Sequence, residues 1–387
     1  MSPLKVVHIA DLHAGKVNNK TLNRNDDLLH SLEQVLDLIK EEKPHYLIVA
    51  GDIFDKSRPD SESSKLIGEF FIKVAEKGTK VVAIGGNHDG GSFLEIFKPW
   101  SKAWNIEIFP KLDINNFIYT DGEVAIALVP YISEKGITDL SEGESLSKIQ
   151  YAERIKKLLQ LAGKKVEGFK YRILTAHLFF ANTKVGKTEQ EITVSDTYAV
   201  EQSAIPETFQ YVALGHVHRY QRLEEAKTDA FYTGSLYQLD FGEEGQEKFF
   251  NYVLIENNRP KVEKVKLSLK RILKKVILSQ ESSINDLTEF KKPNLYLWVE
   301  IEAKTPHEFS IKREQLEKFF GENLLKVTVR FQNLRSDNLK KQNSKSDSIK
   351  DPLKMYREYY QYLGRGWDPS LERVLKHLVE KLNYQTT

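Results

Sequence analysis

Five apolar runs in this chain each end in a short cluster of aspartate, asparagine or histidine residues. This arrangement constrains the fold more than any other feature of the sequence. The runs are short and rich in β-branched residues, as buried strands are. In chain order, the clusters are 11-DLH-13, 51-GDIFD-55, 85-GGNHD-89, His177 and 215-GHVH-218.

Strand-like and helix-like segments alternate through the first half of the chain. Apolar periodicity predicts helices at Asn25–Lys40, Ser63–Lys77, Ser92–Trp104 and Ser145–Leu161. Strands are predicted at Leu4–Ala10, Tyr46–Ala50, Thr79–Ile84, Glu123–Tyr131, Tyr171–Thr175 and Tyr211–Leu214. Two further short strands, Phe231–Thr233 and Phe249–Ile255, are typical of hairpins. The alternation predicts an α/β fold with βαβ units and a largely parallel sheet.

The carboxyl ends of parallel strands meet at one edge of a sheet, where ligand sites form. We therefore expect Asp11, Asp52 and Asn87 to lie close together. Five of the 10 histidines follow the same strands, namely His13, His88, His177, His216 and His218. A single histidine is more often a hydrogen-bonded surface or core residue than a ligand. Five of them at strand ends, beside carboxylates, predict a metal site.

The predicted ligands offer oxygen and nitrogen but no sulfur, because the sequence contains no cysteine. Disulfides, zinc–thiolate sites and cysteine nucleophiles are therefore excluded. Carboxylate, amide and imidazole groups suit Mn²⁺, Fe²⁺ or Zn²⁺ better than Ca²⁺. The ligands are numerous enough for two ions, which together can clamp a phosphoryl group and activate water. Asp52 follows the central strand of the first three, so we expect it to bridge the two ions.

Length and charge limit the class of protein further. A chain of 387 residues fits two or three domains. The formal net charge is only +2, so any site for a polyanion must be a local patch. The first residues, MSPLKVVHIADLH, do not have the pattern of a signal peptide. No run approaches the roughly 18 apolar residues of a membrane span, so we expect no membrane contact and a cytoplasmic location.

The character of the sequence changes near residue 268. Residues 1–268 form the predicted core, and residues 269–333 form a small α+β unit of their own. Its predicted elements are the strands Arg271–Leu278, Leu295–Ile301 and Leu325–Phe331 and the helix Ile311–Phe319. Residues 334–350 have almost nothing apolar to bury and are predicted to be a flexible linker. Residues 351–387 are predicted to form a helical hairpin from Pro352–Tyr362 and Ser370–Leu382.

The series D-x-H, G-D-x-x-D, G-N-H-D, a lone histidine and G-H-x-H resembles the calcineurin-like metallophosphoesterase superfamily. Three longer stretches resemble the SbcD family of DNA double-strand-break repair nucleases within it. They are 46-YLIVAGDIFDKSRP-59, 211-YVALGHVHRYQ-221 and 232-YTGSLYQLDFGEE-244. The resemblance implies a metallophosphoesterase β-sandwich core flanked by helices. It also implies a small α+β capping domain at 269–333, which helps hold DNA, and a C-terminal helical hairpin.

The resemblance also implies a role for each polar residue. One metal ion would be held by Asp11, His13, Asp52 and His218. The second would be held by Asp52, Asn87, His177 and His216. His88 would contact the scissile phosphate and assist the leaving oxygen, and Asp55 would orient His88 or support it electrostatically. Asp89 is expected only to shape the turn.

A member of this family would be a DNA nuclease with two divalent ions, for which Mn²⁺ is the expected metal. It would act as a double-strand exonuclease and as an endonuclease on single strands and hairpins. Basic residues near the clusters are candidate contacts to the DNA backbone, although each could be an ordinary solvated charge. They are Lys16, Lys20, Arg24, Lys56, Arg58, Lys184, Lys187 and Arg219. No base-reading motif is present, so we expect sequence-independent binding.

The resemblance implies two protein partners. Residues 351–387 would grip the coiled coil of an SMC-like ATPase of the SbcC type, because their apolar surface exceeds what two short helices can bury. Docking of the hairpin on its own core is the alternative. Helices 63–77 and 92–104 would form a homodimer through a four-helix bundle, although packing on the sheet explains some of their apolar residues.

Two other functions compete with the nuclease. A phosphomonoesterase or nucleotide phosphodiesterase acting on a small substrate could use the same core. It would need neither the capping domain nor the hairpin. A DNA-end-binding scaffold with a vestigial site is the third reading, and the complete ligand set with His88 argues against it.

Overall fold

Fourteen strands form the core of the structure, a computed structural model that describes residues 3–18, 22–133, 148–185 and 199–331. Most of them coincide with the apolar runs of the sequence. They are β1 (Leu4–Ile9), β2 (Val17–Asn18), β3 (Leu22–Asn23), β4 (Tyr46–Ala50), β5 (Lys80–Ile84), β6 (Ile106–Phe109), β7 (Ile118–Asp121), β8 (Val124–Val129), β9 (Tyr171–His177), β10 (Tyr211–Gly215), β11 (Gln221–Arg222), β12 (Asp229–Tyr232), β13 (Phe249–Glu256) and β14 (Arg259–Lys266).

Twelve of these strands make two six-stranded sheets, and β2 pairs with β3 in a short hairpin. The order is β14-β13-β1-β4-β5-β6 in the first sheet and β11-β12-β10-β9-β8-β7 in the second. Neighbouring strands are parallel from β1 to β6 and from β12 to β8, with antiparallel strands at the edges. The predicted parallel character is therefore confirmed. The predicted hairpin strands are also found, because β12 pairs antiparallel with β11 and β13 pairs antiparallel with β14, while β12 additionally pairs in parallel with β10.

The two sheets pack face to face through alternate residues of their strands. In β1, Leu4 and Val6 face the second sheet, whereas Val7 and Ile9 belong to the cluster beneath the helices. This alternation follows from the two-residue period of a strand. Both faces of each central strand are thus buried, which explains the nearly continuous apolar runs in the sequence.

Five helices cover the outer faces of the sandwich. They are α1 (Asn25–Glu42), α2 (Ser61–Ala75), α3 (Gly91–Glu95), α4 (Lys98–Ser101) and α5 (Lys148–Val166). In α1, Leu28, Leu32, Val35 and Ile39 recur at helical spacing and pack on the first sheet. α5 covers the second sheet in the same way. The predicted β-sandwich core flanked by helices is confirmed.

The predicted helix Ser92–Trp104 is wrong as a single element. α3 ends at Glu95, and α4 begins at Lys98 with Pro99 in its first turn. Pro99 has no N–H to donate to the carbonyl of Glu95, four residues earlier, whereas proline is well tolerated in the first turn of a new helix. Ile96 and Trp104 are 62% and 52% exposed. The homodimer through this region stays a prediction.

A small α/β unit follows β14. It consists of β15 (Ile272–Leu278), β16 (Leu295–Ala303), α6 (Pro306–Phe320) and β17 (Leu324–Phe331). The three strands are parallel in the order β15-β16-β17, and α6 buries Leu316 and Phe320 against them. Thr305 caps α6 by accepting the N–H of Glu308 at 3.1 Å. The linker predicted at 334–350 and the hairpin predicted at 351–387 lie outside the described residues.

The small α/β unit rests on the core through aromatic and apolar contacts. Tyr296 belongs to a cluster that includes Leu22 of β3 and Phe241 of the core. The guanidinium of Arg24 lies 5.3 Å from the ring centre of Tyr237 and 5.0 Å from that of Tyr296. Across the described residues, no helix combines the length and apolar character needed to cross a membrane.

His8 is a buried titratable residue between the two sheets. Its Nδ1 lies 2.9 Å from the hydroxyl of Tyr211, which accepts a hydrogen bond from Asn251. The hydroxyl of Tyr211 therefore donates a hydrogen bond to Nδ1 of His8. Burial lowers the pKa of His8 to about 3. The folded chain thus holds this imidazole neutral at pH values where an unfolded chain would protonate it.

We predict that His8→Gln reduces the acid sensitivity of the fold. Below pH 6.5 the unfolded state gains a proton at His8 and the folded state does not, so wild-type stability falls with pH. The loss from His8 amounts to about 2 kcal/mol between pH 6.5 and about pH 5. Between pH 6.5 and about pH 5, the unfolding free energy of the wild type should therefore fall by that amount more than the unfolding free energy of His8→Gln. Urea unfolding of both proteins at both pH values measures this. Equal declines for both proteins would contradict the prediction, and His307→Gln, at an exposed position, is the matched control.

Candidate metal centre

The carboxyl ends of β1 and β4 are joined by backbone hydrogen bonds that continue beyond the strands. The N–H groups of Asp11, His13 and Ala14 donate to the carbonyls of Gly51, Asp52 and Ile53, at 3.1, 3.0 and 3.0 Å. Two loops that carry polar side chains are therefore held side by side. The loops after β5, β9 and β10 approach from the neighbouring strands and from the facing sheet.

The backbone at this edge adopts conformations that few residues favour. Asp11, His13, Asp52 and His216 have φ values of 51°, 44°, 48° and 103°. Non-glycine residues at such angles are strained and persist only where their surroundings hold them. Gly51 has φ 93°, and a Cβ there would lie 2.2 Å from Nδ1 of His177. The strain is thus concentrated at the residues that the sequence predicts as ligands.

One group of predicted ligands surrounds Asn87. Its Oδ1 lies 2.9 Å from Nε2 of His177 and 2.9 Å from Nδ1 of His216. Nδ1 of His177 lies 2.9 Å from the carbonyl of Ala50, so that nitrogen carries a proton and Nε2 is the nitrogen that faces the other ligands. Oδ2 of Asp52 lies 3.4 Å from the same Nε2. The structure brings together Asp52, Asn87, His177 and His216.

A second group surrounds His13. Its Nε2 lies 3.2 Å from Nε2 of His218 and 3.6 Å from Oδ2 of Asp52. The outer nitrogens of the two rings face carboxylates: Nδ1 of His13 lies 3.2 Å from Asp55, and Nδ1 of His218 lies 3.1 Å from Glu243. The structure therefore also brings together Asp11, His13, Asp52 and His218. One possible ligand atom from each of Asp11, His13 and His218 lies within 4.8 Å of the other two.

These two groups fit divalent cations. Nε2 of His13 and Nε2 of His218 face each other across 3.2 Å, close enough for one ion to bind both. Oδ2 of Asp11 is buried without a hydrogen-bond partner among the described residues. A buried carboxylate oxygen without a donor is unfavourable unless a cation lies beside it. The donors are oxygen and nitrogen, and the two groups share Asp52, so the residues fit two ions of the Mn²⁺, Fe²⁺ or Zn²⁺ class.

Burial and charge set the protonation of the ligands. Burial raises the pKa of Asp11 to about 6 and lowers the pKa values of His13 and His216 to about 4 and about 3. Burial alone would raise the pKa of Asp52, but the charge of His177 holds it well below its usual range. Burial alone would lower the pKa of His177, but Asp52 raises it to about 9. A cation that binds His177 must therefore displace a proton from it.

His88 lies beside the shared carboxylate. Its main-chain N–H donates to Oδ1 of Asp52 at 2.9 Å, and its ring lies 4.7 Å from the ring of His13. Nδ1 of His88 donates to the main-chain carbonyl of Asp55 at 3.0 Å. Asp55 thus contacts His88 through its main chain, and electrostatic support of His88 by Asp55 stays a prediction. The carboxylate of Asp55 contacts His13 and, at 3.1 Å, Nζ of Lys16.

Asp89 shapes the turn, as the sequence predicts. Its carboxylate accepts the N–H groups of Ile53, Phe54 and Gly86 at 3.1, 2.9 and 2.8 Å. These bonds tie the loop after β4 to the loop after β5. Burial raises the pKa of Asp89 to about 6. Asp89 thus positions the loops and does not join either ligand group.

The predicted DNA contacts fall into three sets. Lys56, Arg58, Lys184 and Arg219 are exposed, and Lys16 is partly exposed beside Asp55. Lys20 and Lys187 lie outside the described residues. Arg24 is wrong as a DNA contact, because its side chain is fully buried and its Nε donates to Asp27 at 2.8 Å. Its positive charge is paired with the buried carboxylate of Asp27.

Sequence reasoning missed three residues that shape the site. Tyr131 stacks on His216 with ring centres 6.2 Å apart. Glu243 and Lys248 are buried behind His218, with Oε2 of Glu243 2.6 Å from Nζ of Lys248. Burial alone would raise the pKa of Glu243, but Lys248 lowers it to about 2. The stretch 232-YTGSLYQLDFGEE-244 contains Glu243, but nothing in the pattern links that residue to His218.

Residues 4–220 of the chain match the family described as calcineurin-like phosphoesterase. The match covers more than half of the sequence and includes every residue of the two ligand groups. The chain belongs to this family. Metallophosphoesterases of this kind use two divalent ions to hydrolyse phosphoesters, and the two groups around Asp52 supply candidate ligands.

Several solved structures are similar to this chain at low identity. A dimetal phosphatase from Danio rerio is 11% identical and has a TM-score of 0.43, covering 68% of this chain and 96% of its own. The purple acid phosphatase PPD1 from yellow lupin seeds is 14% identical with a TM-score of 0.42, and the match covers 68% of this chain and 52% of PPD1. GAP50, the anchor in the inner membrane complex of Plasmodium, is 14% identical with a TM-score of 0.36, with coverages of 69% and 90%. Similarities this low do not identify the substrate of this phosphoesterase.

We predict that Asn87→Ala reduces metal binding from two ions per chain to one. Asn87 faces His177 and His216 but not His13 or His218, so only one ligand group loses an oxygen. Isothermal titration with Mn²⁺ and native mass spectrometry would measure the stoichiometry. Asn115→Ala, on the exposed surface, is the control and should still bind two ions. Two ions with unchanged affinity in Asn87→Ala would exclude this residue as a ligand.

Proposed function

We propose that this phosphoesterase is the DNA nuclease subunit of an SbcC–SbcD type complex that processes DNA ends. It acts as a double-strand exonuclease and as an endonuclease on single strands and hairpins, with Mn²⁺ as its metal. The observation that carries the proposal is a second folded unit beside the metal centre. The small α/β unit packs on the turn Phe241–Glu243, and Glu243 contacts His218. A long substrate needs this additional surface, and a small one does not.

The chemistry of the site suits a phosphodiester. Two bound divalent ions would activate the attacking water and offset the negative charge of the transition state. Asp52 would hold the two halves of the site at a fixed separation. His88 is tethered by the Nδ1–H that it donates to the carbonyl of Asp55, so Nε2 is the atom that would deliver a proton to the leaving oxygen, from the doubly protonated imidazolium form of the ring.

The exposed basic residues support a polyanionic substrate. Lys56 and Arg58 follow the loop of Asp52, and Arg219 follows His218. They are exposed, and Lys184 shares that exposure on the neighbouring loop before residue 186. Contacts from such residues to phosphates are independent of base sequence. We therefore propose sequence-independent binding along the DNA backbone.

The proposed assembly includes two protein partners. Residues 351–387 would bind the coiled coil of an SMC-like ATPase, and α2 with the region 92–104 would form the homodimer. Ile67, Phe70, Phe71 and Val74 of α2 are buried in the core, so these side chains serve the fold of a single chain. Ile96 and Trp104 are exposed and are therefore available for a dimer contact.

We predict that the chain digests linear duplex DNA and DNA hairpins in the presence of Mn²⁺, and that His88→Ala slows this by about 10²- to 10⁴-fold. His88 does not belong to either predicted ligand group, so the variant should still bind two Mn²⁺ ions by titration. The readout is the initial rate of DNA cleavage on gels. His30→Ala, a histidine of α1 outside the site, is the control.

The same assay includes small p-nitrophenyl mono- and diesters. Rapid hydrolysis of these esters with DNA left intact would refute the nuclease and favour a phosphomonoesterase or nucleotide phosphodiesterase. Unchanged DNA cleavage by His88→Ala would remove that residue from the mechanism. Neither result would contradict the membership of the phosphoesterase family.

We predict that deletion of residues 351–387 abolishes capture of an SMC-like ATPase of the SbcC type, while DNA cleavage by the isolated chain persists. The deleted segment carries apolar residues such as Met355, Tyr359 and Leu378, which a coiled coil would cover. Pull-down with purified ATPase measures the interaction. A chain with those three residues changed to serine is the finer test, and equal capture by all three proteins would refute the proposed role.

A further inference from the structure

Glu243 is a buried carboxylate that contacts a predicted metal ligand. It ends the turn Phe241–Glu243 and is 2% exposed. Oε1 of Glu243 lies 3.1 Å from Nδ1 of His218. Oε2 accepts the main-chain N–H of Leu239 at 3.1 Å, which fixes the orientation of the carboxylate within its own loop.

Lys248 completes this arrangement. Its ammonium lies 2.6 Å from Oε2 of Glu243 and donates to the hydroxyl of Ser235 at 2.8 Å. It also donates to the main-chain carbonyl of His218 at 3.0 Å. The same ion pair therefore holds both the ring and the backbone of His218. A buried pair of this kind needs such additional hydrogen bonds to offset the loss of hydration.

The other histidines of the site are oriented differently. Nδ1 of His177 faces the carbonyl of Ala50, and Nδ1 of His13 faces Asp55, which also pairs with the partly exposed Lys16. A carboxylate that accepts the second N–H of a ligating imidazole fixes its tautomer and raises its basicity. Glu243 is placed to accept the Nδ1–H of His218, which leaves Nε2, the nitrogen that faces His13, unprotonated and more basic.

We propose that Glu243, with its charge balanced by Lys248, is a positioning residue that sets the affinity of the ion held by Asp11, His13 and His218. Glu243 touches neither the substrate nor the ion and acts through the imidazole of His218. The proposal rests on the metal centre of the proposed function and does not depend on DNA as the substrate.

The loop of Glu243 is restrained from its other side by the small α/β unit. The ring of Phe241 packs edge-on against Trp298, with centres 5.7 Å apart. The side chain of Gln238 accepts the N–H of Leu273 at 2.7 Å. Glu243 is therefore built into a rigid support, as a residue that orients a ligand requires.

The test is titration of the full chain with Mn²⁺, without any substrate. Glu243→Gln should lower the affinity for one of the two Mn²⁺ ions by about 10- to 100-fold and leave the affinity for the other unchanged. Glu247→Gln, an exposed residue four positions along the chain that pairs with Lys266, should bind both ions as wild type does. A folded Glu243→Gln with both affinities unchanged would overturn the proposal.

A double-mutant cycle separates positioning from general stability. In a His218→Ala background, Glu243→Gln should cause no further loss of Mn²⁺ affinity, because the imidazole through which it acts is absent. An equal loss in both backgrounds would show a merely structural role. Absence of DNA cleavage, with metal affinities as expected, would refute the nuclease and leave this proposal intact.

A measurement on the wild type covers the case in which Glu243→Gln fails to fold. Imidazole ¹⁵N NMR of the Zn²⁺-loaded chain reports which nitrogen of each histidine carries the proton, and His218→Gln identifies the signal. A proton on Nδ1 of His218 is the expected result. A proton on Nε2 would mean that Glu243 does not orient this ring, and it would overturn the proposal.

Discussion

The rest of the site depends on the contacts of one buried carboxylate, that of Asp52. Oδ1 accepts the N–H of His88 at 2.9 Å, and Oδ2 lies 3.4 Å from His177 and 3.6 Å from His13. A buried carboxylate is costly unless it is hydrogen-bonded and paired with positive charge. The loops after β1, β5 and β9 each supply one of these partners. Their arrangement around a single central strand end follows from the requirement that this charge be compensated.

The ligands could be predicted from the sequence because parallel topology determines where strand ends meet. Asp11, Asp52 and Asn87 follow β1, β4 and β5, which are neighbours in one sheet. His177 ends β9 and His216 follows β10, and these two strands are neighbours in the facing sheet. A pattern of apolar runs therefore contained the positions of the polar residues that follow them.

Burial and long-range partners could not be read in the same way. Arg24 looks like any basic residue near a cluster, yet its partners Tyr237 and Tyr296 come from far along the chain. Asp55 was expected to orient or support His88. It contacts that ring through its main-chain carbonyl, while its carboxylate reaches His13, and the sequence does not distinguish these two contacts. The break before α4 is different, since Pro99 was visible in the sequence and apolar periodicity outweighed it.

The small α/β unit touches the first ligand group by two separate routes. Tyr237 packs against Arg24, and its hydroxyl donates to the main-chain carbonyl of His13 at 3.1 Å. Glu243 lies beside Phe241, which packs on Trp298, and contacts His218. Both contacts are buried, and packed interiors transmit displacement with little compression. A shift of the unit against the core would therefore move His13 and His218, two predicted ligands of one ion, so the position of the unit and the geometry of the candidate metal centre are linked.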